Sequence, residues 1–221
     1  MRKFILLTIL TGLVAFGTNA QDSDLKLGIK VAPVFGNSRI QLDDPDVTVE
    51  NDGAAFKLSL GLIVDKSFGD NYMLSTGLIY IPKEIGLAIN PEASSTQTWN
   101  STETYKLQYL QIPATVKLFT NEIQPDVKVY FQLGMALEIK VFEEADPELT
   151  EPEVIAQFQP MNIPVILGTG IEYRAGLNTV LFGGISYQRG LINIVKDTNY
   201  TFAEDFALRS TLVSIDIGIK F

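Results

Sequence analysis

Thr211-Leu212-Val213-Ser214-Ile215-Asp216-Ile217-Gly218-Ile219-Lys220-Phe221 closes the chain, and its reading decides the fold. Val213, Ile215, Ile217, Ile219 and Phe221 fall on one face at period two, while Ser214, Asp216, Gly218 and Lys220 fall on the other. A helix would scatter those apolar residues around its circumference, so the segment is a strand with one apolar and one polar face.

Seven further segments carry the same alternation. Strand one covers Leu25 to Phe35, with Lys26, Gly28 and Lys30 on its polar face. The next runs Phe56 to Asp65, the third Tyr72 to Tyr80 and the fourth Tyr109 to Leu118. In the fifth, Val127, Val129, Phe131, Leu133, Met135, Leu137 and Ile139 oppose Lys128, Tyr130, Gln132, Gly134, Ala136, Glu138 and Lys140. The sixth spans Asn162 to Tyr173, and the seventh, the weakest, Leu181 to Gln188. Pro113 and Pro164 cannot donate to a ladder and a closed sheet has no edge to hold them, so local bulges are expected there.

The connections alternate in length. Short turns fall at Phe68-Gly69-Asp70-Asn71, Thr120 to Asp126, and Ala175-Gly176-Leu177-Asn178. Long polar loops fall at Asn37 to Asp52, Lys83 to Glu103, Glu143 to Gln157 and Lys196 to Asp205. Short turns at one end and long loops at the other are the habit of outer-membrane barrels, and an even strand count puts both termini at the short-turn end, which is periplasmic. Aromatic residues gather near strand ends: Tyr72, Phe119, Tyr173 and Phe221 at one side, Phe35, Phe56, Tyr80, Tyr187 and Phe206 at the other. They form the two expected interfacial girdles. A soluble lipocalin-like barrel would turn its apolar face inward, and the Lys, Glu, Asp and Gln on the polar faces would line such a cavity badly. The fold expected is therefore all-β, an eight-stranded antiparallel up-and-down transmembrane β-barrel in the outer membrane.

The N-terminus supports export. Arg2 and Lys3 precede an apolar run from Phe4 to Phe16, and Thr18-Asn19-Ala20 offers small residues for cleavage before Gln21. That run is shorter than the roughly 20 residues a membrane-spanning helix needs. Residues 1–20 are thus expected to be a cleaved signal peptide, and residues 21–221 the barrel domain. The chain has no cysteine, so no disulfide staples it.

The stretch Tyr109-Leu110-Gln111-Ile112-Pro113-Ala114-Thr115-Val116-Lys117-Leu118 resembles a strand of the PorT-like outer-membrane β-barrel family of Bacteroidetes. Gly77-Leu78-Ile79-Tyr80 with Lys83 is similar to that family's third strand, and Tyr187-Gln188-Arg189-Gly190-Leu191-Ile192-Asn193-Ile194 to its seventh. The resemblance covers essentially the whole mature chain. It departs at Gln111, where the family usually has glutamate. What it implies is a barrel in the cell envelope, with one family member tied to the type IX secretion system. Separately, the last strand, ending in Phe221, resembles the terminal signal that the outer-membrane assembly machinery reads in other barrels.

Chemistry is sparse. The chain has no histidine, the usual acid–base group near neutral pH, so no catalytic residue is assigned and no enzyme is expected. Without Cys or His a zinc site is not expected, and no cofactor motif is present. A net charge of −9 argues against nucleic acid as a partner. The expected partners are outer-membrane lipid and lipopolysaccharide, the assembly machinery, and secretion or envelope proteins. More than half of the 26 acidic residues fall in the first, third and last loops, which suits a solvated surface better than a calcium site. Inward-facing Lys26, Lys30, Lys57, Lys117, Lys128, Lys140 and Lys220 meet Asp65, Glu138, Glu172 and Asp216. An eight-stranded barrel is only wide enough for side chains to fill it, so cross-strand salt bridges are expected to plug the lumen. Lys26 or Lys30 with Asp216 is the expected closing pair. The alternative is a narrow, anion-leaning pore passing small solutes.

Overall fold

In the computed structural model the described residues are 25–41, 47–51, 55–91, 101–145, 154–199 and 206–221. Residues 1–20, where a signal peptide is expected, lie outside them.

Eight long strands close a ring: β1 (Leu25–Gln41), β3 (Ala55–Ser67), β4 (Tyr72–Pro91), β5 (Ser101–Phe119), β6 (Val127–Ala145), β9 (Pro164–Arg174), β10 (Val180–Gly190) and β12 (Ala207–Lys220). Neighbours in the chain are neighbours in the sheet, all antiparallel, and β1 pairs with β12 to close it. Leu27 and Phe221 exchange both backbone hydrogen bonds, at 3.1 and 2.7 Å, so the last residue locks the first strand. Such closure pairs the backbone without water, as a lipid setting requires.

Side chains follow the expected faces. Leu58, Leu60 and Leu62, Leu133 and Met135, and Ile215 and Ile217 are exposed on the outside. Asp65, Lys117, Glu138, Glu172, Asp216 and Lys220 are buried inside. Tyr72, Tyr173 and Phe221 are exposed near the turn end, and Phe35, Phe56 and Tyr187 towards the loops. Two assigned girdle residues are elsewhere. Phe119 has the inward parity of β5 and packs on Tyr130, ring centroids 5.8 Å apart. Phe206 is 3 % exposed, within a core at the loop end.

The prolines interrupt the ladder without bulging it. Thr76 pairs with Ala114 and Ile79 with Gln111, an unchanged register across the gap at Pro113. On the other side, Pro113 pairs directly with Ala136. The two-residue strand β8 (Met161–Asn162) and β9 keep one register against β6 across Pro164, so they act as a single strand. Pro33 interrupts β1–β12 in the same way, between Val31–Ile217 and Val34–Ser214. A missing N–H removes a rung, but backbone already held on its other side need not shift. The register shift in this region falls instead between Gln108 and Tyr109, where Val141 is the extra residue of β6.

The long connections are more structured than their polarity suggested. β4 runs on to Pro91 and β5 starts at Ser101, so most of the expected loop from Lys83 to Glu103 is hairpin. Short β2 (Val47–Asn51) adds to the end of β4, and β7 (Ile155–Phe158) pairs with β11 (Val195–Thr198) in a separate small sheet. The β3–β4 ladder ends at Leu60–Tyr80; above it Lys57 and Glu84 pair at 2.6 Å.

Glycines on the inner wall make room for two rings. A Cβ on Gly170 or Gly184 would lie 2.6 Å from the Tyr130 hydroxyl, and one on Gly218 would lie 2.3 Å from Phe182 Cζ. Overpacking such a site costs about 1–3 kcal/mol. Gly170→Val is therefore expected to lower the urea midpoint of the refolded barrel, read by its heat-modifiable gel mobility. An unchanged midpoint would show that Tyr130 is not confined there.

Candidate functional site: a charged lumen under an apolar cap

The lumen is organised in layers. Nearest the turns, Asp65 of β3 accepts from Lys117 Nζ of β5 and Lys220 Nζ of β12, each at 2.8 Å. Lys220 also bonds Glu172 of β9, so one connected group ties strands from opposite sides of the ring. The two lysines flank the Phe182 ring, at 5.6 and 5.5 Å from its centroid, and Lys117 also lies 5.4 Å from Tyr130. Aromatic faces supply attraction to cations that have left water.

Higher up, Lys30 meets Asp216 at 3.2 Å. Asp216 also accepts from Ser214, whose hydroxyl lies 2.6 Å from that of Ser186. A cavity of about 30 Å³ borders this layer, lined by Lys30, Gln111, Gln132 and Asp216 among others. It has room for about one or two water molecules.

The third layer surrounds Glu138 of β6. Its carboxylate accepts from Lys83 at 2.7 Å, Asn162 at 2.6 Å and Gln111 at 3.0 Å. Gln111 also donates to Gln188 at 2.8 Å, and Lys83 sits 4.8 Å over the Tyr109 ring. A glutamate at position 111 would place a second carboxylate against Glu138; the amide instead donates to it. Gln111 is therefore the residue type that suits this carboxylate.

Above Glu138 the interior becomes apolar. Ile85 and Leu87 of β4, Tyr105 and Leu107 of β5, Ile155 and Phe158 of β7, Ile194, and Leu208 of β12 form one buried cluster. Tyr105 and Phe158 meet edge to face at 5.2 Å. The β7–β11 sheet is fastened to the wall by Glu103: its carboxylate accepts from the Val154 N–H at 3.1 Å and from the Tyr105 hydroxyl at 2.5 Å. The Tyr105 oxygen in turn accepts from the Ile155 N–H at 3.1 Å.

Of the lumen residues assigned from sequence, Lys30, Lys117, Lys220, Asp65, Glu172 and Asp216 pair with one another as expected, while Glu138 faces inward and takes Lys83 as its cation. Lys30, not Lys26, takes Asp216; Lys26 and Lys128 line the turn-end mouth, a recess of about 330 Å³. Lys57 turns to Glu84 in the β3–β4 seam, and Lys140 pairs with Glu143 while donating to the Phe158 carbonyl at 2.6 Å. Lys83 was assigned to a loop and is instead a buried partner of Glu138. The loop acids, expected to form a solvated surface and not a calcium site, fall mostly outside the described residues. Among the described residues, no group of three or more metal-ligating side chains converges.

The sequence matches the outer membrane protein beta-barrel domain family over residues 19–196. The chain belongs to that family. Among solved structures it is similar to Neisserial surface protein A, with a TM-score of 0.50 and 13 % identity over 89 % of this chain and 97 % of that one. It is also similar to the outer membrane protease OmpT of Escherichia coli, with a TM-score of 0.53 and 6 % identity over 91 % and 97 %. At those identities the likeness is one of fold. No curated protein matches the sequence.

Removing one partner of a buried ion pair strands the rest, at a cost of about 3–5 kcal/mol. Asp65→Asn is expected to lose that much in urea unfolding from lipid vesicles. Lys26→Gln, at the solvated mouth, should change stability by less than about 1 kcal/mol. Equal effects of the two substitutions would contradict the layered account.

Proposed function

We propose that this outer-membrane barrel is a non-catalytic, non-conducting anchor that presents its capped loop end to other envelope molecules. Both termini lie in the periplasm, after removal of residues 1–20 as a signal peptide. Its specific task is assistance to protein secretion, as the PorT-like resemblance implies. Outer-membrane lipid, lipopolysaccharide and secretion or envelope proteins are its partners, and the assembly machinery reads its aromatic-ended last strand.

The observation that carries this reading is the filled lumen. The Asp65–Lys117–Lys220 layer, the Glu138 layer and the apolar cap lie one above another across the ring. A solute would have to break buried charge pairs and then displace a packed apolar core, which weighs against the narrow-pore alternative. The expanded outer end, with its added β2, β7 and β11 strands, supplies surface in place of passage.

Deletion of the gene separates the two roles. A loss of exported proteins from the medium, with unchanged uptake of small labelled solutes, is the expected result. Impaired solute uptake with normal export would overturn the proposal.

A further inference from the structure

Three cross-strand rows on the outer wall step from apolar to cationic within a few residues. Phe35, Val213 and Tyr187 are register partners across β1, β12 and β10, and all three are exposed. The next outward row is Asn37, Thr211 and Arg189. Beyond it Arg39 stands directly opposite Arg209. Like charges facing each other across a ladder repel, and such pairs are normally avoided.

Among the described residues, no acidic side chain pairs with either arginine. All seven ion pairs among the described residues are made by lysines, none by arginine. Arg39 leans across Thr211, donating to its hydroxyl at 3.3 Å and to the Gly190 carbonyl at 3.2 Å, which carries its charge towards Arg189. Arg209 donates to Gln41 at 2.5 Å. Arg189 is exposed. The chain is otherwise strongly acidic, so this concentration of guanidinium runs against its overall charge.

We infer that Arg39, Arg189 and Arg209 form a binding site for the phosphate of a phosphorylated glycolipid in the surrounding leaflet, with its acyl chains lying along Phe35, Val213 and Tyr187. Guanidinium matches phosphate oxygens with paired donors, and the site lies at the depth where headgroups begin. A phosphate supplies a counter-charge that none of the ion pairs among the described residues brings to these arginines, and the apolar row beneath provides the acyl contact that a free ion would not use. The inference rests on the proposed orientation only in naming which leaflet supplies the lipid.

The test is binding of fluorescent diphosphoryl lipid A to the barrel in nanodiscs of neutral phosphatidylcholine. The R39Q/R189Q/R209Q variant should bind at least about tenfold more weakly, a change of about 1.4 kcal/mol. Lys106→Gln, exposed on β5 away from the three rows, should leave affinity unchanged. Wild-type protein should lose a similar factor with dephosphorylated lipid A, and millimolar inorganic phosphate should not displace the lipid. Undiminished binding by the triple variant, equal binding of dephosphorylated lipid, or displacement by inorganic phosphate would each overturn the assignment. Folding is read by heat-modifiable mobility; should the triple variant not fold, R189Q alone must weaken binding, and unweakened binding by it overturns the site. Nanodiscs expose both leaflets, so the outcome does not depend on orientation. That is read separately, by labelling an Ala175→Cys variant on whole cells with an impermeant maleimide.

Discussion

Asp65 receives two lysines from different parts of the ring, and the interior of the barrel is organised around that kind of convergence. An eight-stranded ring leaves space only for side chains. Charges pointing inward must therefore find one another, since each is otherwise left unpaired in a dry interior. Lys220 completes the arrangement by reaching both Asp65 and Glu172 from the strand that closes the barrel. The same residue pair that neutralises the lumen thus links β12 to β3 and β9. Glycines at 170, 184 and 218 leave the wall bare where the Tyr130 and Phe182 rings must fit beside these lysines.

The wall changes character along its length, and the change is a shift of phase in the apolar pattern. In β4 the outward apolar residues are even-numbered, Tyr72, Leu74, Leu78 and Tyr80; beyond them apolar residues are odd-numbered and inward, at Ile81, Ile85 and Leu87. β5 shows the same reversal, from outward Leu110, Ile112 and Val116 to inward Tyr105, Leu107 and Tyr109. β12 repeats it, with outward Val213 to Ile219 giving way to inward Leu208 and Leu212. Where the outside meets lipid it is apolar and the inside polar; where the outside meets water the assignments exchange. The reversal marks the edge of the hydrocarbon layer on three strands, and the arginine rows begin just beyond it.

That reversal also explains which features could be read from sequence. The eight strands, their inward faces and a contact of Asp216 with Lys26 or Lys30 follow from alternation, because period two fixes the face of every residue once one face is assigned; the structure selects Lys30. The cap does not follow from it. Ile85 and Leu87 alternate as clearly as any strand, but in the opposite phase, and so read as loop; Tyr105 and Leu107, in that same phase, fall outside the strand expected from Tyr109. Lys83 was lost with them, although it is the main cation beside Glu138. The donors to Glu138 come from three separate places in the chain, Lys83, Gln111 and Asn162, and no local pattern joins them. Phe206 was placed in a girdle by its position near a strand end, yet the apolar cap claims it. The prolines show a different limit: composition predicts that a rung is lost, but the neighbouring strand decides whether a bulge forms.

We propose that charge pairing and the apolar cap seal the lumen. Single-channel recording of the refolded protein in planar bilayers tests it most directly. No steady conductance step above the bare bilayer is expected, and a stable, reproducible open level would rule out the seal.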